Sequence, residues 1–168
     1  MRDNIKKGNI TYNDIIKVHP FGNTLCVIEV TGQDILDALE WGVRLVPDEN
    51  GSFLQVSGLT FEVDASIDSP CIADEENMLA SIEGERRVRN VLVGGEPLDP
   101  EKTYTLAGHD YMLLQIADGY TMFKDAKVLQ KEVKIDNQVL IDYIVDTLGG
   151  EISEEYADPY GQGRIVFV

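Results

Sequence analysis

Gly51-Ser52-Phe53-Leu54-Gln55-Val56-Ser57-Gly58 lies between a helical pattern that runs to Val46 and a strand pattern that runs to Val63. A phenylalanine flanked by glycines, where a loop becomes a strand, has two uses. It plugs the core, as large aromatic side chains usually do, or it offers a flat face to a ligand. The helix on one side and the strand on the other set the fold class, and the chain around them fills it in.

Upstream, Thr11-Tyr12-Asn13-Asp14 is a capping-box start with Asp in place of Glu or Gln, predicting a short helix over Ile15, Ile16 and Val18. His19-Pro20 ends it, because proline disfavours helical backbone in the residue before it. Phe21-Gly22-Asn23 makes a turn. Asn23 to Val30 predicts a strand apolar on most of both faces, hence a central one. Thr31-Gly32-Gln33-Asp34 opens a second helix, with Ile35, Leu36, Leu39, Val43 and Val46 at helical spacing up to Pro47. Leu54 to Val63 predicts a strand broken at Ser57-Gly58.

Downstream, Asp64 to Glu85 shows no strong period, and Ser66 to Asn77 reads as a surface excursion. Arg87 to Val93 and Thr103 to Ala107 predict strands, with a tight turn at Gly94-Gly95. His109 to Ile116 predicts one or two helical turns, and Ala117-Asp118-Gly119-Tyr120 a loop turn. Lys127 to Leu129 predicts a short strand. Asp136 is expected to cap a helix ended by Gly149-Gly150. Arg164 to Val168 closes the chain as a strand. Without regular βαβ alternation, this mixture predicts an α+β fold: a single domain over residues 1–168, with a mixed β-sheet and three or four helices packed on it.

The 168 residues carry a net charge of −16, and the sequence pI is near 4.3. Such a surface repels nucleic acid and anionic membrane at long range, so a polynucleotide partner is not expected. No apolar run approaches the length of a membrane span. Cys26 and Cys71 have no zinc-type spacing and form no disulfide framework; Cys26, in an apolar strand pattern, reads as a core residue. The chain lacks a GxSxG elbow, HExxH, a P-loop and GxGxxG. His19 and His109 are ninety residues apart. Neither a metal cofactor nor catalysis is expected from this chain alone.

What remains is aromatic and polar. Phe53 occupies its glycine-flanked loop, His109-Asp110-Tyr111 follows a strand end, and Asp118-Gly119-Tyr120 turns a few residues later. Two aromatic faces and a carboxylate suit a nucleoside, with the base between the rings and the ribose hydroxyls donating to the acid. On residue type alone, Tyr111 and Tyr120 also read as core aromatics and Asp118 as a turn former.

Ile10-Thr11-Tyr12-Asn13-Asp14, His19-Pro20-Phe21-Gly22-Asn23, Phe53-Leu54-Gln55-Val56-Ser57-Gly58, Pro97-Leu98-Asp99-Pro100 with Tyr104, and Asp118-Gly119-Tyr120 together resemble, in order, the C-terminal domain of the 5'-nucleotidase / UDP-sugar hydrolase family. The resemblance implies a nucleoside- or nucleotide-binding specificity domain without hydrolytic activity of its own. Its implied partner is an N-terminal metallophosphoesterase domain of the same polypeptide, which would hold the divalent metals. It implies an extracellular, cell-wall-associated or periplasmic location. It assigns the base-stacking clamp to Phe53 and Tyr111, the ribose-holding acid to Asp118 beside Gly119, and a phosphate-binding fork to Arg2.

Two departures bear on these assignments. The family's glycine run before Arg2 is missing where the chain begins, which suggests an excised domain. Ile116-Ala117 replaces a Gly-Gly pair, so the loop carrying Asp118 is expected to be set differently, since a β-branched residue disfavours positive φ. That departure favours a second reading, a structural or interaction module that has lost its ligand. A third reading keeps the enzymology and changes the substrate to 2',3'-cyclic nucleotides or UDP-sugars.

Overall fold

The computed structural model describes residues 3–158 and 161–168, which form an α+β fold with four α-helices. Arg2, the phosphate-binding expectation, lies outside the described residues. In chain order come helix α1 (Tyr12–Val18), strand β1 (Leu25–Thr31), helix α2 (Gly32–Gly42), and strands β2 (Leu59–Val63), β3 (Cys71–Ala73), β4 (Leu79–Ile82), β5 (Val88–Val93), β6 (Glu96–Pro97) and β7 (Thr103–His109). Helix α3 (Asp110–Leu113), strand β8 (Lys127–Gln130), helix α4 (Asp136–Asp142) and strand β9 (Ile165–Phe167) complete the order.

Capping boxes form at both expected helix starts. The Asp14 carboxylate accepts from the Thr11 N–H at 2.9 Å and its hydroxyl at 2.6 Å, and Asp34 does the same for Thr31 at 2.8 and 2.7 Å. These bonds satisfy polar groups that a helix start would otherwise leave bare. At Gly32 a side chain is impossible, since a Cβ would stand 2.1 Å from the Asp99 carbonyl oxygen. The Asp99-Pro100 loop therefore packs directly on the start of α2, where Lys102 and Pro100 carbonyls accept from the Gly32 and Gln33 N–H groups.

The strands divide into three sheets rather than the one mixed sheet expected. Strand β1 is central, as its two apolar faces require, between antiparallel β7 and β8. A four-stranded sheet of order β6-β5-β2-β9 is the mixed one, because β9 runs parallel to β2 while β5 and β6 are antiparallel. The third is the β3-β4 hairpin, within a stretch expected to be irregular surface.

Three boundaries also differ. Helix α2 stops at Gly42, and Val43 to Pro47 continue as turns with Val43 still buried. Leu54 to Ser57 stay irregular, so the second strand begins at Leu59. Helix α4 is N-capped by Ile135 rather than Asp136, and it runs on through a π-helical turn over Tyr143–Thr147.

The core joins the sheets through α2. Cys26, Ile28 and Val30 of β1 and Phe61 and Val63 of β2 belong to one buried cluster with Ile35, Leu39 and Trp41 of α2. Cys26 is fully buried, and neither cysteine forms a disulfide.

Candidate functional site

The end of the β1-β7 ladder sets the first part of the site. Leu25 pairs with His109, and one residue further on the two chains lock together. Asp110 N–H donates to the Thr24 carbonyl at 2.8 Å, and Thr24 N–H donates to Asp110 Oδ1 at 2.9 Å. The chain then turns into α3, whose start is capped by His109 Nδ1 accepting the Met112 N–H. Tyr111 leaves the sheet in that first turn and is 41% exposed, its ring 6.3 Å from that of His109. Of the two tyrosines that could have been core, only Tyr120 is, at 1% exposure.

Three residues before Thr24 stands a residue that sequence reasoning passed over as part of a turn. Phe21 is 63% exposed, in the segment that leads through Gly22 and Asn23 to Thr24. Two exposed aromatic side chains are thus carried on the two segments joined by the Thr24–Asp110 pair. The signal that could have found Phe21 was the one applied to Phe53, an aromatic beside a glycine where a loop becomes a strand.

The Asp118 turn forms the second part, and α3 packs against it. Ile116 takes φ 56°, ψ 31°, and Asp118 takes φ 56°, ψ 20°. The left-handed conformation that a β-branched residue disfavours is therefore adopted with Ile116 in place, and its half-buried side chain packs against the core. Gly119 follows at φ +85°, where a Cβ would come 2.6 Å from the Trp41 ring and 2.9 Å from the Asn77 carbonyl oxygen. Trp41 Nε1–H donates to the Asp118 carbonyl at 2.8 Å. Asp118 itself is exposed, so its carboxylate is available to solvent or ligand.

A buried network ties this turn to the loop carrying Phe53. The Tyr120 hydroxyl donates to the Ser52 carbonyl, and Arg44 donates to Ser52 Oγ at 3.2 Å and to the Trp41 carbonyl at 2.8 Å. The Arg44 guanidinium lies 3.7 Å over the Trp41 ring, a cation–π geometry. Burial pulls the Arg44 pKa down, and the Tyr120, Cys71 and Asp118 groups nearby pull it back up. Burial pushes the Tyr120 hydroxyl well up, so it stays a donor across the working pH range.

Phe53 is half-buried and packed against the core. It lines a cavity of about 400 Å³ together with Val56, Arg164, Ile165 and Phe167. Tyr111 and Asp118 are not among the described lining residues of that cavity. The structure thus carries Phe21 and Tyr111 on the two segments that the Thr24–Asp110 pair joins, sets Asp118 against α3, and places Phe53 in the wall shared with β9.

Among the described residues, no three His, Cys, Asp or Glu side chains are arranged to hold a metal ion. Among the described residues, no helix is long and apolar enough to cross a membrane.

The family described as 5'-nucleotidase, C-terminal domain, matches residues 1–125. The silent protein UshA(0) of Salmonella typhimurium is 28% identical over 163 residues, covering 91% of this chain and 26% of that protein. The trifunctional nucleotide phosphoesterase protein YfkN of Bacillus subtilis is 29% identical over 165 residues, covering 98% of this chain and 10% of its own length. The crystal structure of a 5'-nucleotidase precursor from Thermus thermophilus superimposes with a TM-score of 0.78 at 31% identity, covering 99% of this chain and 29% of that one. The chain spans less than a third of the length of each of these relatives. With its fold matched nearly end to end and its sequence over residues 1–125, it belongs to the 5'-nucleotidase C-terminal domain family.

Proposed function

We propose that this chain is the nucleoside-binding specificity part of a metal-dependent 5'-nucleotidase-type hydrolase. The metals and the attacking water reside on a separate phosphoesterase domain, and the whole enzyme works in an extracellular, wall-associated or periplasmic compartment. The observation that carries this reading is the pair of exposed rings, Phe21 and Tyr111, on either side of the Thr24–Asp110 lock, with the exposed Asp118 turn packed on α3. A base stacks at the rings and the ribose hydroxyls donate to Asp118. Gly119 serves by its missing side chain, which lets the turn close on Trp41. Arg2, which lies outside the described residues, is the phosphate-binding residue of this reading.

Two stacking contacts contribute ~1–3 kcal/mol each. A hydrogen bond to the carboxylate adds about 1.5–3 kcal/mol. Association itself costs on the order of 4–15 kcal/mol, so the chain by itself binds nucleosides at millimolar levels or weaker. Tight binding requires the phosphate contacts that the catalytic domain supplies.

A second arrangement keeps Phe53 as the ring opposite Tyr111. It is favoured by the Tyr120–Ser52 bond that ties the Phe53 loop to the Asp118 turn, and by a cavity of ligand size beside Phe53. Amide shifts on titration with adenosine, inosine and uridine separate the two. Shifts at Phe21, Tyr111 and Asp118, lost in Phe21→Ala and kept in Phe53→Ala, support the first; the reverse pattern supports the second. A folded protein with no shift at any of these positions in millimolar nucleoside removes the nucleoside reading and leaves a structural or interaction module.

A further inference from the structure

We propose that Trp41 is a positioning residue for the Asp118 carboxylate, so that the ribose preference of this site is set from beneath by an indole that touches no ligand. The inference rests on the reading of Asp118 as the ribose-holding acid. Trp41 is the sole tryptophan of the chain and is 1% exposed in the last turn of α2. Its Nε1–H reaches the Asp118 carbonyl, 77 residues away, at 2.8 Å. The edge of the same ring lies under Gly119, 2.6 Å from where a Cβ would be at Cζ2 and 2.9 Å at Cε2. The peptide joining Asp118 to Gly119 is therefore held at both ends, by a hydrogen bond at its oxygen and by contact at the next Cα.

That hold matters because the turn is set against local preference. Asp118 and Ile116 both have φ 56°, a region that L-residues with side chains populate sparsely. Such conformations persist where the surroundings over-determine them. Trp41 supplies part of that constraint, and it is itself fixed. Arg44 stacks 3.7 Å over the ring and bonds the Trp41 carbonyl and Ser52 Oγ. With the Asp118 peptide plane fixed and its φ defined, the direction of its Cα–Cβ bond, from which the carboxylate extends, is also defined. Losing the indole N–H frees the carbonyl to rotate, and the carboxylate direction spreads.

The test compares adenosine with 2',3'-dideoxyadenosine, which keeps the base and removes the hydroxyls that Asp118 would accept from. Wild-type protein is expected to prefer adenosine by about tenfold or more, as loss of a charge-assisted bond implies. Trp41→Phe keeps an aromatic ring and removes the N–H. It is expected to bring the preference to within about twofold by weakening adenosine while dideoxyadenosine affinity stays unchanged. A merely structural role for Trp41 would weaken both ligands alike.

Because the chain has one tryptophan, its indole N–H gives one resonance, and this provides a readout in unaltered protein. The resonance is expected to move with adenosine and not with dideoxyadenosine. A Trp41→Phe protein that discriminates as wild type does overturns the inference and leaves the Asp118 reading standing. Wild-type protein that does not discriminate removes the Asp118 reading, and this inference with it. If Trp41→Phe fails to fold, an indole resonance unmoved by adenosine that binds elsewhere on the chain overturns the inference.

Discussion

Glu40→Ala is expected to be among the most destabilising single changes in this protein. Glu40 is completely buried near the end of α2, and its two oxygens face strand β5. Oε1 accepts the Arg87 N–H at 2.9 Å and Oε2 accepts the Val88 N–H at 3.0 Å, so one side chain satisfies two adjacent main-chain donors where β5 begins. Truncation leaves both donors buried without acceptors. At about 1–3 kcal/mol for each stranded group, the loss is ~2–6 kcal/mol. Against a total stability of about 5–15 kcal/mol for a typical domain, that is a large share. Glu40→Gln keeps one acceptor and turns an NH₂ toward the second donor, so it should lose roughly half as much. Urea unfolding, followed in parallel by circular dichroism and by Trp41 fluorescence, gives the midpoints and slopes. The expected order is wild type, Glu40→Gln, Glu40→Ala, with the slope unchanged. A Glu40→Ala protein within ~1 kcal/mol of wild type would mean that β5 finds other partners for those donors and that the carboxylate does not anchor it.

Gly119→Ala should destabilise by ~2–5 kcal/mol, combining left-handed strain with overpacking against Trp41, and thermal unfolding would show it. A loss under ~1 kcal/mol would mean the turn relaxes away from the indole. Asp142 is held below the ordinary aspartate range by Lys134 first and Gln138 second, and Asp64 by the Ser66 hydroxyl and N–H. Both folded-state values are depressed, so their contributions are present above the ordinary carboxylate range and fade as pH falls through the lowered values. Carboxyl-carbon NMR titration checks this directly: titration of either group at or above the free-aspartate value contradicts it.

Much of the fold was legible because the signals were local. Thr11 with Asp14 and Thr31 with Asp34 close hydrogen bonds over three residues, so the sequence holds the whole interaction. Strand β1 was readable as central because residues on both faces are apolar. The end of α2 was not readable, because Val43 and Val46 keep helical spacing while lying in turns that the core also covers. Apolar periodicity reports burial, and burial continued after the helix stopped. The β3-β4 hairpin was missed for the opposite reason: its strands have three and four residues, none of them fully buried, too short to show an alternation. The parallel pairing of β9 on β2 joins segments a hundred residues apart, and no local pattern encodes that.

The site shows where local reading stops in a more specific way. Phe21, between Pro20 and Gly22, and Phe53, between Ser52 and Leu54, each stand beside a turn that leads toward a strand. One is 63% exposed next to the β1-β7 end, and the other is half-buried against the core and β9. Their difference in burial follows from which sheet each loop borders and from the arrival of β9 beside Phe53. Ile116 makes the complementary point about conformation. Its side chain argues against positive φ, and the backbone adopts it nonetheless, because Ile116 packs on the core while Trp41 and Tyr120 hold the two residues after Ala117 and the one beyond. A local preference of ~1–2 kcal/mol against the left-handed region is smaller than the sum of a buried side chain and two buried hydrogen bonds. Glycine at that position would remove the strain and also the apolar contact, so the substitution that looked like a lesion in the loop is compatible with a turn fixed by its neighbours.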